Sequence, residues 1–287
     1  MSRRNNRKRE GVVGAILAFP DGILTLCCFA VPLVVIVLYS FWKIDLTTFT
    51  VTTNWNFGNY GDIFKSIYLQ ALLRSILITL ATVVGCLLLG LPIAYFIASC
   101  KGKLQLLMIG AIVIPFWTSF VVRTYAWLEL LGAHGVITQA LVHMHLVADG
   151  TDLRYSTTAV IIGMVYSYLP MMILPVYSTF EQLDQPLLEA AADLGKTPSQ
   201  AFFQIVMPSC GGGIVAGSLL VAIPALGEYT IPAILGGSKT LMIGNVIASE
   251  FQTTGNYPRG AALSSVLMVA VLLIIIGKQI MQWRKVR

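Results

Sequence analysis

Charge is what this sequence has least of. Of its 287 residues, 11% are Asp, Glu, Lys or Arg, against about 25% in a soluble domain. Histidine occurs three times, and no histidine or aspartate lies well inside a long apolar run. An intramembrane enzyme would need a nucleophile–base pair or a ligand cluster there, so that class is disfavoured. The five cysteines (Cys27, Cys28, Cys86, Cys100, Cys210) lie in or beside apolar runs; their odd number and placement argue against a disulfide framework. No internal repeat is visible, as an ion-coupled carrier working alone would show. A nucleotide site is missing as well. Leu194-Gly195-Lys196-Thr197 looks like the end of a P-loop, but Ala190 stands where the first glycine is required, and a capped helix precedes it instead of a strand.

What is abundant is apolar length. Hydrophobic residues make up 56% of the chain, with a mean hydropathy of +0.79. The pattern predicts an all-α polytopic membrane protein. A span needs about 20 apolar residues, and six runs qualify: Ile16–Trp42, Ala71–Ser99, Leu104–Leu131, Thr157–Phe180, Gly211–Leu235 and Ala261–Gln282. The domain expectation is a basic tail over 1–15, one membrane domain over 16–283 and a short tail over 284–287. Basic residues crowd both ends, from Arg3 to Arg9 and from Lys278 to Arg287, and Lys101 and Lys103 occupy the second connection. The positive-inside rule therefore places both termini in the cytoplasm, and gives the basic tails a simpler role than binding nucleic acid.

Three connections then face outward: 43–70, 132–156 and 236–260. The first, with Trp42 at its edge, carries Trp55, Phe57 and Tyr60, residues of an interfacial belt. The second holds His134, His143 and His145 with Asp149 and Asp152, a set too loosely spaced for a metal centre. The third has Leu241, Ile243, Val246, Ile247 and Phe251 at helical spacing between Gly237 and Gly255, which predicts a short helix lying in the outer leaflet.

One polar segment, 181–208, reads as two short helices outside the bilayer. Asp184 can cap the first, whose Leu187, Ala190, Ala191 and Leu194 share a face, with Glu189 and Asp193 on its flank. Gly195 ends it in a left-handed conformation. Thr197, Pro198 and Gln200 supply cap, first position and capping-box partner for the second helix. Phe202, Ile205 and Val206 form its apolar face, and Pro208 marks its exit.

Ionisable residues inside apolar runs usually face a path or a partner, because each costs roughly 2.5–3.5 kcal/mol at the bilayer centre. Arg123 and Glu129 on the third run are two such residues, and Arg123 is spaced to stack on Trp127. Glu228 is the third. It sits between Pro224 and Pro232 beside Gly227, and broken helices of this kind mark transport sites. Tyr166 and Tyr168, beside Pro170, are the tyrosines placed to line a path with it.

Glu189-Ala190-Ala191, Gly195, Ile205 and Pro208 together resemble the EAA signature of permease subunits of bacterial ABC importers. The spacing matches throughout; Met207 stands where that family usually has leucine. With each position at roughly 5–8% background, six matches arise by chance in about one chain in 100,000. The runs Ile114-Pro115-Phe116-Trp117, Arg123-Thr124-Tyr125-Ala126-Trp127, Gly227-Glu228-Tyr229, Leu235-Gly236-Gly237 and Met242-Ile243-Gly244-Asn245 are similar to those of spermidine/putrescine importer permeases. Importers of opines, phosphonates or iron share several of them.

The resemblance implies a six-helix permease of the bacterial inner membrane, paired with a second, similar permease. Two cytoplasmic ATPase subunits, which carry the ATP and Mg, and an external substrate-binding protein complete the machine; this chain holds no cofactor. Glu189, with Ala190, Ala191, Asp193, Gly195, Ile205 and Pro208, is implied to couple to the ATPase. Glu228, Tyr229, Tyr166, Tyr168, Trp117 and Glu129 are the candidates for the substrate path.

Overall fold

The computed structural model describes residues 23–45, 48, 50–183, 193 and 195–285. Long helices dominate because the apolar runs can satisfy their backbone polar groups only internally. In chain order come α1 (Ile23–Ser40), a hairpin of β1 (Lys43–Asp45) and β2 (Thr50–Thr52), and α2 (Gly58–Asp62). The long α3 (Ser66–Ser99) leads to α4 (Lys103–Val113), a 3-10 turn (Ile114–Trp117), α5 (Phe120–Leu130), α6 (Val136–His143) and α7 (Thr157–Glu181). Next, α8 (Pro198–Ala201) runs through a π turn (Phe202–Val206) to Met207–Ser209. Then follow α9 (Gly211–Leu226), a π turn (Pro232–Gly236), a 3-10 turn (Gly237–Thr240), α10 (Ile243–Gln252) and α11 (Tyr257–Lys285).

Among the described residues, four helices are long and apolar enough to cross a membrane; the number reaches six only if two bent pairs each count as one span. The run Leu104–Leu131 is one of these pairs, α4 with its 3-10 turn meeting α5 at 97°. Pro115 has no N–H for the helical ladder, and Thr118 and Ser119 adopt extended backbone (ψ 155° and 130°). The Thr118 hydroxyl donates to the Pro115 carbonyl at 2.6 Å, satisfying one acceptor at the break. The run Gly211–Leu235 is likewise interrupted, since α9 stops at Leu226.

The chain divides into two compact units. In the unit spanning 66–246, α3, α7 and α9 pack around Cys86, Met164, Met172, Ile173, Val176 and Val221, all essentially inaccessible. Small residues set the helix spacing. A Cβ on Gly217 would lie 2.9 Å from the Met172 sulfur and 3.1 Å from its carbonyl oxygen, so a larger residue there requires the Met172 side chain to move and α9 and α7 to part slightly.

The other unit comprises 1–65 and 247–287. Asn59 on α2 donates to the Ser40 and Trp42 carbonyls at 2.9 and 2.8 Å. The Phe41 ring meets those of Trp55, Phe57 and Tyr60 at 5.3–5.4 Å, the aromatic group expected in the first connection. Asp62 accepts from Lys65 at 2.7 Å and from Arg259 at 3.0 Å, and these cations hold its carboxyl below the ordinary range against the opposing effect of burial. The chain thereby closes an ionic contact between residues nearly 200 positions apart. No local pattern announces it.

Candidate functional site

The site is built where α9 ends. Pro224 and Gly227 weaken the last turn, and helical backbone resumes only at Thr230. Glu228 caps the new start. Its Oε1 accepts from the Thr230 N–H at 2.8 Å and the Ile231 N–H at 3.4 Å. Its Oε2 accepts from the Tyr168 hydroxyl at 2.5 Å. Glu228 is half-buried and Tyr168 is buried, so one carboxylate joins α7 to the broken segment through a short charge-assisted bond.

The first turn of α10 locks this break from the other side. Gly244 lies so close to the carbonyl oxygens of Gly227 and Glu228 that an added Cβ would come within 2.5 and 2.7 Å of them. Asn245 donates to the Tyr229 carbonyl at 2.7 Å and accepts from the Met242 N–H at 3.2 Å. The Ile243 N–H donates to the Ser75 hydroxyl at 2.7 Å. Met242, Ile243 and Asn245 are buried, so the short helix expected in the third connection exists but packs its first turn on protein. Asn245, a buried amide beside the break, had a signal only in its position three residues after Met242, from whose N–H it accepts. Ser75, in the middle of an apolar run, had none.

The other path candidates are dispersed. Tyr166 and Tyr168 are two residues apart, hence about 200° around the helix, and do not form one face. Tyr168 binds Glu228, whereas the Tyr166 ring packs on Trp127 at 5.3 Å. That partner displaces the stacking expected between Trp127 and Arg123. The Arg123 guanidinium lies over the Phe116 ring at 4.5 Å and near Phe120 at 6.0 Å, a position opened by the bend between α4 and α5. Its Nε and Nη1 are buried without hydrogen-bond partners. Tyr229 and Glu129 are exposed, and Trp117 is 87% exposed at the end of the 3-10 turn. In the connection 132–156, Arg154 grips Asp152 at 2.6–3.0 Å and lowers its carboxyl from the ordinary range.

The polar segment before α9 is described in part. Glu189, Ala190 and Ala191, with Asp184, Leu187 and Leu194, lie outside the described residues. Asp193 and Gly195 are exposed, and Gly195 has φ +75°, the left-handed backbone expected of it. The capping box forms: the Thr197 N–H donates to Gln200 Oε1 at 3.0 Å, and the Gln200 N–H to Thr197 Oγ1 at 3.4 Å. Lys196 Nζ donates to Gln204 Oε1 at 2.7 Å. Beyond this, Val206 is buried, Ile205 half-buried and Phe203 exposed.

The helical run closes at Ser209, one residue past Pro208. Lacking an N–H, Pro208 is accommodated by the π turn ahead of it, in which the Met207 N–H reaches the Phe202 carbonyl. The bend of 62° follows only after Ser209. Phe202 anchors the segment on the membrane helices: its ring meets Tyr95 at 5.1 Å, and Tyr95 meets Phe180 at 5.6 Å.

Residues 90–283 match the model of the family described as "Binding-protein-dependent transport system inner membrane component". The chain belongs to this family. It is a transport permease rather than an enzyme. The permease is 36% identical over 284 residues to the "Spermidine/putrescine transport system permease protein PotB" of Salmonella typhimurium (strain SL1344), covering 99% of this chain and 96% of that one. The Haemophilus influenzae protein of the same description is 40% identical over 217 residues, 76% of each chain. Its fold resembles that of a chain in the crystal structure of a bacterial alginate ABC transporter in complex with alginate pentasaccharide-bound periplasmic protein. That match has a TM-score of 0.67 at 18% identity and covers 98% of this permease and 96% of the other chain.

Proposed function

We propose that this permease forms the membrane path of an ATP-driven importer for polyamines of the spermidine and putrescine class. The observation that carries this reading is the 36% identity to a spermidine/putrescine permease across 99% of the chain. The chemistry at the broken helix supports it. A polycation leaving water needs carboxylate and aromatic surface, and Glu228 with Tyr168 and the exposed ring of Tyr229 supplies both. In this reading the chain crosses the membrane six times, with both termini in the cytoplasm. A second permease completes the path, an external binding protein delivers the cargo, and two ATPase subunits drive it. Segment 181–208 docks on one ATPase subunit through Glu189 and its neighbours.

Two measurements test this. The permease, coexpressed with its partner subunits and reconstituted, should take up radiolabelled spermidine only with ATP. Putrescine should compete and amino acids or phosphonates should not; competition by an amino acid or an anion alone would reassign the cargo. In a cysteine-free background, single cysteines at Arg9 and Lys196 should react only with reagents that cross the membrane. Cysteines at Trp55 and His145 should react with impermeant ones. External labelling at position 196 would overturn the topology.

A further inference from the structure

A groove of about 460 Å³ lies between α3 and α4, away from Glu228 and its partners. Pro92, Ile93 and Phe96 of α3 face Leu107, Met108 and Ala111 of α4 across it, and every lining side chain is apolar. Its rim is basic. Leu107 and Ala111 follow Lys103 at four and eight residues, so Lys103 stands on the face of α4 that lines the groove, one turn before it. Lys101 lies in the short turn between the end of α3 at Ser99 and the start of α4. Both lysines are exposed.

Glu181 meets the start of α4 through Tyr177, whose hydroxyl accepts from Gln105 at 2.8 Å; Gln105 lies about 200° around the helix from Lys103. From Ile63 to Leu128 the sequence contains no acidic residue. The start of α4 has neither a capping side chain nor an acidic residue in its first turn, so its positive end adds to the field of the lysines.

We propose that this groove holds an acyl chain of an anionic phospholipid, with the lipid phosphate between Lys101, Lys103 and the start of α4. A hydrocarbon chain suits a lining with no hydrogen-bonding side chain. The headgroup is selected by charge at the one end of the groove where the protein offers cations.

The test is competitive lipid retention by native mass spectrometry. The permease complex, purified in detergent, is exposed to equimolar palmitoyl-oleoyl phosphatidylglycerol and palmitoyl-oleoyl phosphatidylcholine. Phosphatidylglycerol should be retained preferentially. Lys101→Gln and Lys103→Gln should each reduce that preference about fivefold, the effect of one basic residue beside an anionic lipid surface. Ala111→Phe, which projects a ring into the groove, should abolish retention of both lipids. Equal retention of the two lipids by the unmodified complex would overturn the proposal, as would a lysine double variant with undiminished preference. A cysteine at Leu107 should remain uncrosslinked to other subunits; efficient crosslinking to the second permease would assign the groove to a protein helix instead.

Discussion

Replacing Gly195 with valine should abolish transport-linked ATP hydrolysis in the assembled complex, while the permease still inserts and purifies with its partners. The residue has φ +75° with open space around it, so the defect is not a clash. A side chain here strains the left-handed backbone by about 1–2 kcal/mol, more for a β-branched residue. The strain is relieved by leaving that conformation, which redirects the polypeptide on the N-terminal side of Gly195 relative to α8. On the other side the capping box of Thr197 and Gln200 holds the start of α8. The Phe202–Tyr95–Phe180 ring series ties it to the membrane helices. A fixed base with a misdirected docking element is an uncoupled machine.

Gly195→Asp should be milder than valine, because aspartate tolerates left-handed backbone better. Glu189→Ala should weaken coupling without abolishing it, by removing a charge-assisted bond worth about 1.5–3 kcal/mol. ATPase assays of reconstituted complex, with and without loaded binding protein, measure all three. Substrate-stimulated hydrolysis in Gly195→Val equal to that of the unmodified complex would move the docking surface elsewhere.

The second large effect is expected at Glu228, where two roles must be separated. Glu228→Gln leaves a carbonyl oxygen for the Thr230 and Ile231 N–H groups, and its amide can donate to the Tyr168 hydroxyl. The cap and the tie to α7 therefore survive while the charge is lost. If that charge is a station for a polycation, uptake should fall at least about tenfold, as expected when about 1.4 kcal/mol or more of attraction is removed. Complex yield should be unchanged.

Glu228→Ala should do more. It removes the cap, costing about 1 kcal/mol, and strands the buried Tyr168 hydroxyl, costing about 1–3 kcal/mol. Assembly should suffer along with uptake. Tyr168→Phe should lower uptake less than Glu228→Gln, since the carboxylate and its two backbone donors remain. Normal spermidine uptake by Glu228→Gln would make this residue a helix cap only.

Much of this protein could be read from residues taken a few at a time. The membrane class follows from long apolar runs in a chain with little charge. Gly195 was legible because a helix-ending glycine adopts left-handed backbone at low cost. Thr197 and Gln200 were legible because a capping box closes within four residues. The break at Gly227–Tyr229 and the helix 243–252 were legible for the same reason: proline, glycine and apolar spacing act over one or two turns. Pro208 shows the limit of such signals. Its missing N–H was evident, but whether the chain stops, bends or widens into a π turn depends on what the flanking residues pack against. Here Phe202 and Val206 are held, and the ladder widens.

The tertiary structure alone decided which helix faces meet. The spans are apolar all the way round, so their pattern sets length but leaves rotation about the axis undetermined. Rotation puts Tyr168 on Glu228, 60 residues away, and turns Tyr166 toward Trp127. The 97° bend takes Arg123 from Trp127 to Phe116. Close backbone approach brings Gly244 onto the Glu228 carbonyl, and folding brings Arg259 to Asp62. Each of these contacts joins groups that are distant along the chain, and its geometry exists only once the intervening helices have packed.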